Sequence, residues 1–177
     1  MGEPSRIPRH VIRLGEQRQV TPFEIAPEAE GRAAVAEELG IPGVRKLRFA
    51  GRLVPEGRRD WRLEAELGAT VVQDCVVTLE PVTTRIDEAV LRRYLADLPE
   101  PEPGESEVPE DDVEPLPQAL DLGEVMVEAL ALALPPYPRA PGVELGEVVA
   151  TEPGAEPLTE ERAKPFAGLK DALRPKE

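Results

Sequence analysis

One histidine, one cysteine and an acidic triplet are the side chains of this 177-residue sequence best equipped for chemistry on a substrate. His10 and Cys75 form the only conceivable base and nucleophile pair, since proton transfer near neutral pH falls first to histidine. Cys75, however, lies in the valine-rich run Val71-Val72-Gln73-Asp74-Cys75-Val76-Val77. A small thiol in such a run is read as a packing residue of the core. Glu110-Asp111-Asp112 would suit a hard divalent cation, but such a site needs several oxygens in fixed geometry. No patterned element flanks the triplet, so a solvated charge run is the plainer reading. Zinc requires about four cysteine or histidine ligands, and the chain has His10 and Cys75 alone. Neither a Walker phosphate loop nor a dinucleotide glycine fingerprint occurs. These absences point to a non-catalytic protein with no metal and no cofactor.

A basic run offers a different chemistry. Arg45, Lys46, Arg48, Arg52, Arg58, Arg59 and Arg62 are opposed locally by Glu56 and Asp60. Lys46, Arg48 and Arg52 share a strand face, with Arg58 and Arg59 at the following turn, and the set could track nucleic-acid phosphates. The same residues could equally form a solvated sheet face with cross-strand pairs to Glu64 and Glu66. Phe49 falls on the opposite face, so no aromatic platform for stacking bases accompanies the charges.

The elements that must position these residues are legible from period and punctuation. Arg18–Ala26 forms a short strand. Pro27 opens a helix that runs to Leu39 and stops at Gly40, with Ala29, Ala33 and Ala36 on one close-packing face. From Val44 the period becomes two: Leu47, Phe49, Gly51 and Leu53 point one way and the cations the other. Pro55-Glu56-Gly57 turns the chain into Trp61, Leu63, Ala65 and Leu67. A third strand covers Thr70–Thr78, Leu79-Glu80-Pro81 turns again, and a fourth runs from Val82 toward Tyr94. The expected fold is therefore α+β, an antiparallel β-meander of about four to six strands packed with two or three helices, plus acidic flexible loops.

The second helix spans Asp121–Leu134. Asp121 caps its orphan N–H groups and Glu124 can reach back to complete a capping box. Leu122, Val125, Met126, Ala129, Leu130, Ala133 and Leu134 make one apolar stripe, and Val127, Ala131 and Leu132 leave the far side apolar too. Burial in the domain and docking of a partner both satisfy that pattern. Pro135-Pro136 ends the helix. A short amphipathic helix is expected over 164–174, with Phe166, Leu169 and Leu173 on one side.

Hydrophobic residues at 41% allow a single domain over 1–177, while 21 prolines mark boundaries. The net charge of −14 is uneven: Asp97–Glu161 holds 18 acids and one base, Arg139, leaving +3 for the remainder. Within that span, 98–117 reads as an acidic proline-rich flexible loop and 140–160 as a loose acidic linker. No apolar run suggests a signal peptide or a membrane span, and one cysteine precludes an intrachain disulfide. A cytoplasmic protein with no membrane partner is expected; the oligomeric state is left open.

Three segments carry a family resemblance. Cys75-Val76-Val77-Thr78-Leu79-Glu80-Pro81 is similar to a Cys-x-Arg-Cys-Leu-x-Pro segment. Asp121-Leu122-Gly123-Glu124 leading to Leu130-Ala131-Leu132-Ala133-Leu134-Pro135-Pro136-Tyr137-Pro138 matches a helix with an acidic start and a Leu-Ala-Leu-Pro end. Lys164-Pro165-Phe166-Ala167-Gly168-Leu169 is close to a terminal Asn-Pro-Phe-Ala-x-Leu. Together they resemble the YceD family, bacterial large ribosomal RNA subunit accumulation proteins, in a variant similar to an alphaproteobacterial branch. Cys75, Leu79, Pro81, Asp121, Glu124, Leu130, Pro135, Pro138, Pro165 and Phe166 are the matching positions. Thr78 and Val77 replace the second cysteine and the arginine, and the later His and Cys of many members are missing beyond Arg139. A metal or redox role for those cysteines therefore does not carry over. The resemblance implies a role in 23S rRNA accumulation and ribosome biogenesis, through large-subunit rRNA itself or through a ribosomal protein or assembly factor. An acidic interaction module unrelated to ribosomes is the alternative, and a small enzyme the distant third.

Overall fold

The computed structural model describes residues 7–14, 18–97 and 113–143. All elements named below lie in one unit, Met1–Pro141, distinct from a second, Gly142–Glu177. The chain order is β1 (Val11–Arg13), β2 (Thr21–Ile25), α1 (Ala29–Glu38), β3 (Gly43–Glu56), β4 (Asp60–Asp74), β5 (Pro81–Leu95), β6 (Val113–Pro115), β7 (Ala119–Asp121) and α2 (Leu122–Ala133). β2 to β6 form a five-stranded sheet in sequence order, and β1 pairs with β7. The fold is α+β with a meander at its centre, as the alternating periods require.

Alternation decides the faces. In β3 and β4 the buried members Leu47, Phe49, Leu53, Leu63, Leu67 and Ala69 point inward to the core shared with the helices. Arg48, Arg52, Glu64 and Glu66 lie on the outer side. Register brings Phe49 opposite Leu67 and Leu53 opposite Leu63, so apolar pairs stack across the hairpin.

Three expectations are corrected. The return strand and the separate third strand are one: β4 runs 15 residues without a break. Gly68 does not interrupt it, because both neighbouring strands pair across that position, with Arg48 on one side and Asp87 on the other. Consequently Cys75 is not inside a strand but just after β4, at the start of a turn. The alanine face of α1 is not what packs either. Ala29 and Ala33 are exposed, and the helix buries Val35 and Ala36. Its end is as expected: Gly40 takes φ +62, with Gly40 N–H donating to the Glu37 carbonyl and Ile41 N–H to that of Ala36. Finally, the stretch read as an acidic loop ends in structure. Residues 98–112 lie outside those described, but Val113–Pro115 form β6, parallel to Arg93–Leu95. Ladder pairing satisfies backbone groups there that composition alone would have left to solvent.

The helix α2 settles the apolar stripe as core. Leu122, Val125, Met126, Ala129 and Leu130 are buried, while Leu132 stays 78% exposed. Its N-cap is a hub. The Asp121 carboxylate accepts from Gly123 N–H at 3.0 Å, from His10 N–H at 2.9 Å and from Arg9 Nε at 2.9 Å. In return the His10 carbonyl accepts from Leu122 N–H. A side chain on Gly123 would meet the Pro8 carbonyl oxygen at 1.9 Å, so only glycine admits the incoming segment. Glu124 is exposed at the helix surface.

Burial alone would raise the Asp121 pKa, but donation from His10, Arg9 and Gly123 outweighs it and holds the carboxyl below its ordinary value. The group's stabilisation is therefore complete above the unfolded carboxyl range and fades as pH falls through the lowered native pKa. Asp121→Ala is expected to cost about 2 kcal/mol at pH 7, the upper range for a lost cap. Chemical denaturation at pH 7 and again near pH 3 checks this, and the gap between variant and wild type should shrink at the lower pH.

Candidate functional site

The basic hairpin folds as expected, and four of its cations, Arg48, Arg52, Arg59 and Arg62, hold carboxylates. Arg48 Nε donates to Glu24 at 2.8 Å, Arg52 to Glu64 at 2.7 Å, and Arg59 to Asp97 at 3.1 Å. Arg62 also reaches Glu64, at 2.9 Å, and Arg93 reaches Glu56 at 3.1 Å. Hydrogen bonding from Arg52 lowers the Glu64 pKa, so the carboxylate stays charged within the lattice. Lys46 sits opposite Thr70 at the far end of the ladder, and Arg58 is exposed in the turn after Gly57. The outer face is thus an ion-pair network of both signs. A nucleic-acid phosphate would compete with carboxylates at Arg48, Arg52 and Arg59.

A second surface is built where distant motif residues converge. Cys75 N–H donates to the Glu80 carbonyl at 2.8 Å, and Leu79 N–H to the Cys75 carbonyl at 2.9 Å, closing the turn between β4 and β5. The chain leaving α2 braces it. Val76 N–H donates to the Pro138 carbonyl at 2.9 Å, Ala140 N–H to Cys75 Sγ at 3.4 Å, and Gln73 Nε2 to the Pro135 carbonyl at 3.1 Å. Cys75 and Pro138 are buried, and the turn presents Val76, Val77 and Leu79 outward, the last 76% exposed. Tyr137, next to the bracing Pro138, is 74% exposed. Leu79 also holds φ at +61, the left-handed region that costs a residue with a Cβ roughly 1–2 kcal/mol. An exposed, strained leucine gains nothing from burial here.

The sequence reading missed this cluster because valines at 76 and 77 looked like strand. That reading places the turn at Leu79-Glu80-Pro81 but runs the strand on to Thr78, whereas β4 ends at Asp74. Of the other motif positions, Asp121 and Glu124 stand at the start of α2, and Leu130 is core. Pro165, Phe166 and the 164–174 helix lie outside the described residues, as do Glu110-Asp111-Asp112 and 144–160. His10 is not brought into partnership with Cys75: its ring packs near Phe23, centroids 6.3 Å apart.

A profile described as large ribosomal RNA subunit accumulation protein YceD matches residues 63–172. The chain belongs to the YceD family. The matched region opens within β4 and contains the Cys75 turn, β5 and α2, whereas β2, α1 and β3 precede it. No curated protein and no solved structure matched significantly. Membership in YceD ties this chain to accumulation of large-subunit rRNA. Among the described residues, no three His, Cys, Asp or Glu side chains gather as a metal-binding group, and no helix is long and apolar enough to cross a membrane.

The Cys75 thiol is drawn from an ordinary 9.0 down to about 7, chiefly by the Thr78 hydroxyl donating to sulfur and then by the Ala140 N–H, against burial. Thr78 stands at the position where many members carry a second cysteine. A lowered native pKa means that the folded protein releases the proton first, so stability rises with pH from about 7 toward the unfolded thiol value. Ultraviolet titration of the thiolate should place its midpoint near 7, and Thr78→Val should move it up toward 9.0. An unmoved midpoint would show that Thr78 does not hold the sulfur.

Proposed function

We propose that this protein is a non-catalytic binding factor in large-subunit rRNA accumulation, acting in the bacterial cytoplasm by docking on a basic ribosomal protein or assembly factor. The observation that carries the reading is Leu79, exposed at φ +61 in a turn braced by the chain leaving α2. Backbone strain kept at an exposed apolar side chain serves presentation, not packing. Val76, Val77 and Tyr137 extend the same apolar ground, and Asp74 and Glu80 flank the turn with acid. The strongly acidic stretch Asp97–Glu161 supplies long-range attraction for a cationic partner, raising association rates at low salt. Direct contact with rRNA through Lys46, Arg48, Arg52, Arg58 and Arg59 is less favoured, since Arg48, Arg52 and Arg59 already hold carboxylates.

Binding to purified basic large-subunit proteins and to rRNA fragments, each titrated with salt, separates the two mechanisms. Leu79→Gly relieves the left-handed strain and is expected to raise stability by about 1 kcal/mol. The same change should weaken protein binding by roughly tenfold, as loss of a central apolar anchor does. Arg48→Glu with Arg52→Glu should leave protein binding nearly intact. If Leu79→Gly binds normally while the arginine variant loses rRNA affinity, the hairpin is the working surface and the docking reading fails.

A further inference from the structure

The open edge of β5 suits a second copy of this chain. β6 pairs only with Arg93–Leu95, and among the described residues no strand pairs with the outer edge of β5 over Pro81–Arg92. Leu116 N–H donates to the Leu95 carbonyl on that side. Alternate residues back along β5, namely Arg93, Leu91, Ala89, Asp87, Arg85 and Thr83, therefore aim their backbone groups at the same edge. An edge of that length is a template for another strand unless charge or proline blocks it.

We propose that two copies of the chain join by antiparallel pairing of β5 with β5 about a two-fold axis at Ile86. The register is singled out by charge. It sets Arg85 opposite Asp87 of the second copy, twice by symmetry, with Thr83 opposite Ala89 and Pro81 opposite Leu91. A two-fold at Asp87 instead would place two aspartates face to face, and one at Ala89 would oppose Arg85 to Arg93. Opposite charges across a strand pair stabilise it and like charges directly opposite destabilise it. Within one copy Arg85 already donates to Asp87, Nε to Oδ2 at 2.8 Å, so both side chains stand together on the exposed outer face. The pairing also ends where it must. Pro81, without an N–H, opens β5, and β6 takes up the edge from Arg93, opposite Val113, just beyond the paired span.

The helices fit the same symmetry. Arg92 bonds Glu128 at 2.9 Å and Gln73 bonds the Pro135 carbonyl at 3.1 Å. α2 therefore runs back along β4 and β5, and the two-fold makes the two α2 helices antiparallel. Strands lie about 4.8 Å apart, so helices centred over β4 and β5 of each copy fall about 10 Å apart, the spacing of directly packed helices. Leu132, with Ala133, lines a groove against Glu88–Arg92, on the β5 side of α2. Its 78% exposure in one copy would be covered by the second helix.

Sedimentation equilibrium of the full chain, with melting curves as a check on folding, tests this. Wild type is expected to be a dimer. Arg85→Glu and Asp87→Arg should each raise the dimer Kd by roughly tenfold or more, since each turns two attractions into repulsions. The double variant R85E/D87R should recover wild-type association, because the exchanged charges again face their opposites across the two-fold. Ala89→Pro removes an outward N–H at an edge that tolerates proline and should leave a folded monomer. A monomeric wild type, or a dimer whose Kd none of these variants changes, overturns the pairing.

Discussion

The Asp121 carboxylate joins parts of the chain that the sheet alone would leave apart. It caps α2, receives the backbone of His10 and pairs with Arg9. With it, the segment leading into β1 lies across the start of α2, and β1 closes on β7 beside the main sheet. The apolar stripe of α2 is then delivered onto the inner faces of β4 and β5. Burial of Leu122, Met126 and Leu130 supplies the bulk of the attraction there, since each large apolar side chain brings roughly 1.5–3 kcal/mol when removed from water. The cap supplies direction. Arg92, bonded to both Glu114 and Glu128, ties β5 and β6 to the middle of α2.

That placement of α2 fixes where its exit goes. The proline run after the helix cannot continue it, and Pro138 and Ala140 arrive against the Cys75 turn. Two segments of YceD that look unrelated in sequence are thus one structural unit, in which the exit of α2 clamps the β4–β5 turn. Hydrogen bonds from Val76, Ala140 and Gln73 and the burial of Cys75 and Pro138 hold it together. The consequence is an apolar tip on a hydrogen-bonded base, beside a sheet whose outer face carries Arg48–Glu24 and Arg52–Glu64 ion pairs.

Much of this was legible beforehand. Period-two alternation named the inward residues of β3 and β4, the Asp121 cap located α2, and Gly40 located the end of α1. Pairing that depends on residues far apart was not. Nothing local distinguishes Val76 and Val77 from strand valines until Pro138 is known to take the hydrogen bond of Val76. Nothing local shows that Val113 will find Arg93, or that Arg48 will find Glu24. The candidate site was half visible for the same reason. Alternation pointed to Glu64 as a cross-strand partner, which Arg52 takes, but only the full pairing reveals Glu24 on Arg48 and Asp97 on Arg59.

The central claim, that the braced turn serves large-subunit rRNA accumulation, is most directly tested by sucrose-gradient profiles of ribosomal particles from cells lacking this protein. Complementation with wild type and with Leu79→Asp, which alters an exposed residue, completes the comparison. A selective deficit of large subunits, restored by wild type and not by Leu79→Asp at equal protein level, is the result expected. An unchanged profile without the protein, or full rescue by Leu79→Asp, would contradict it.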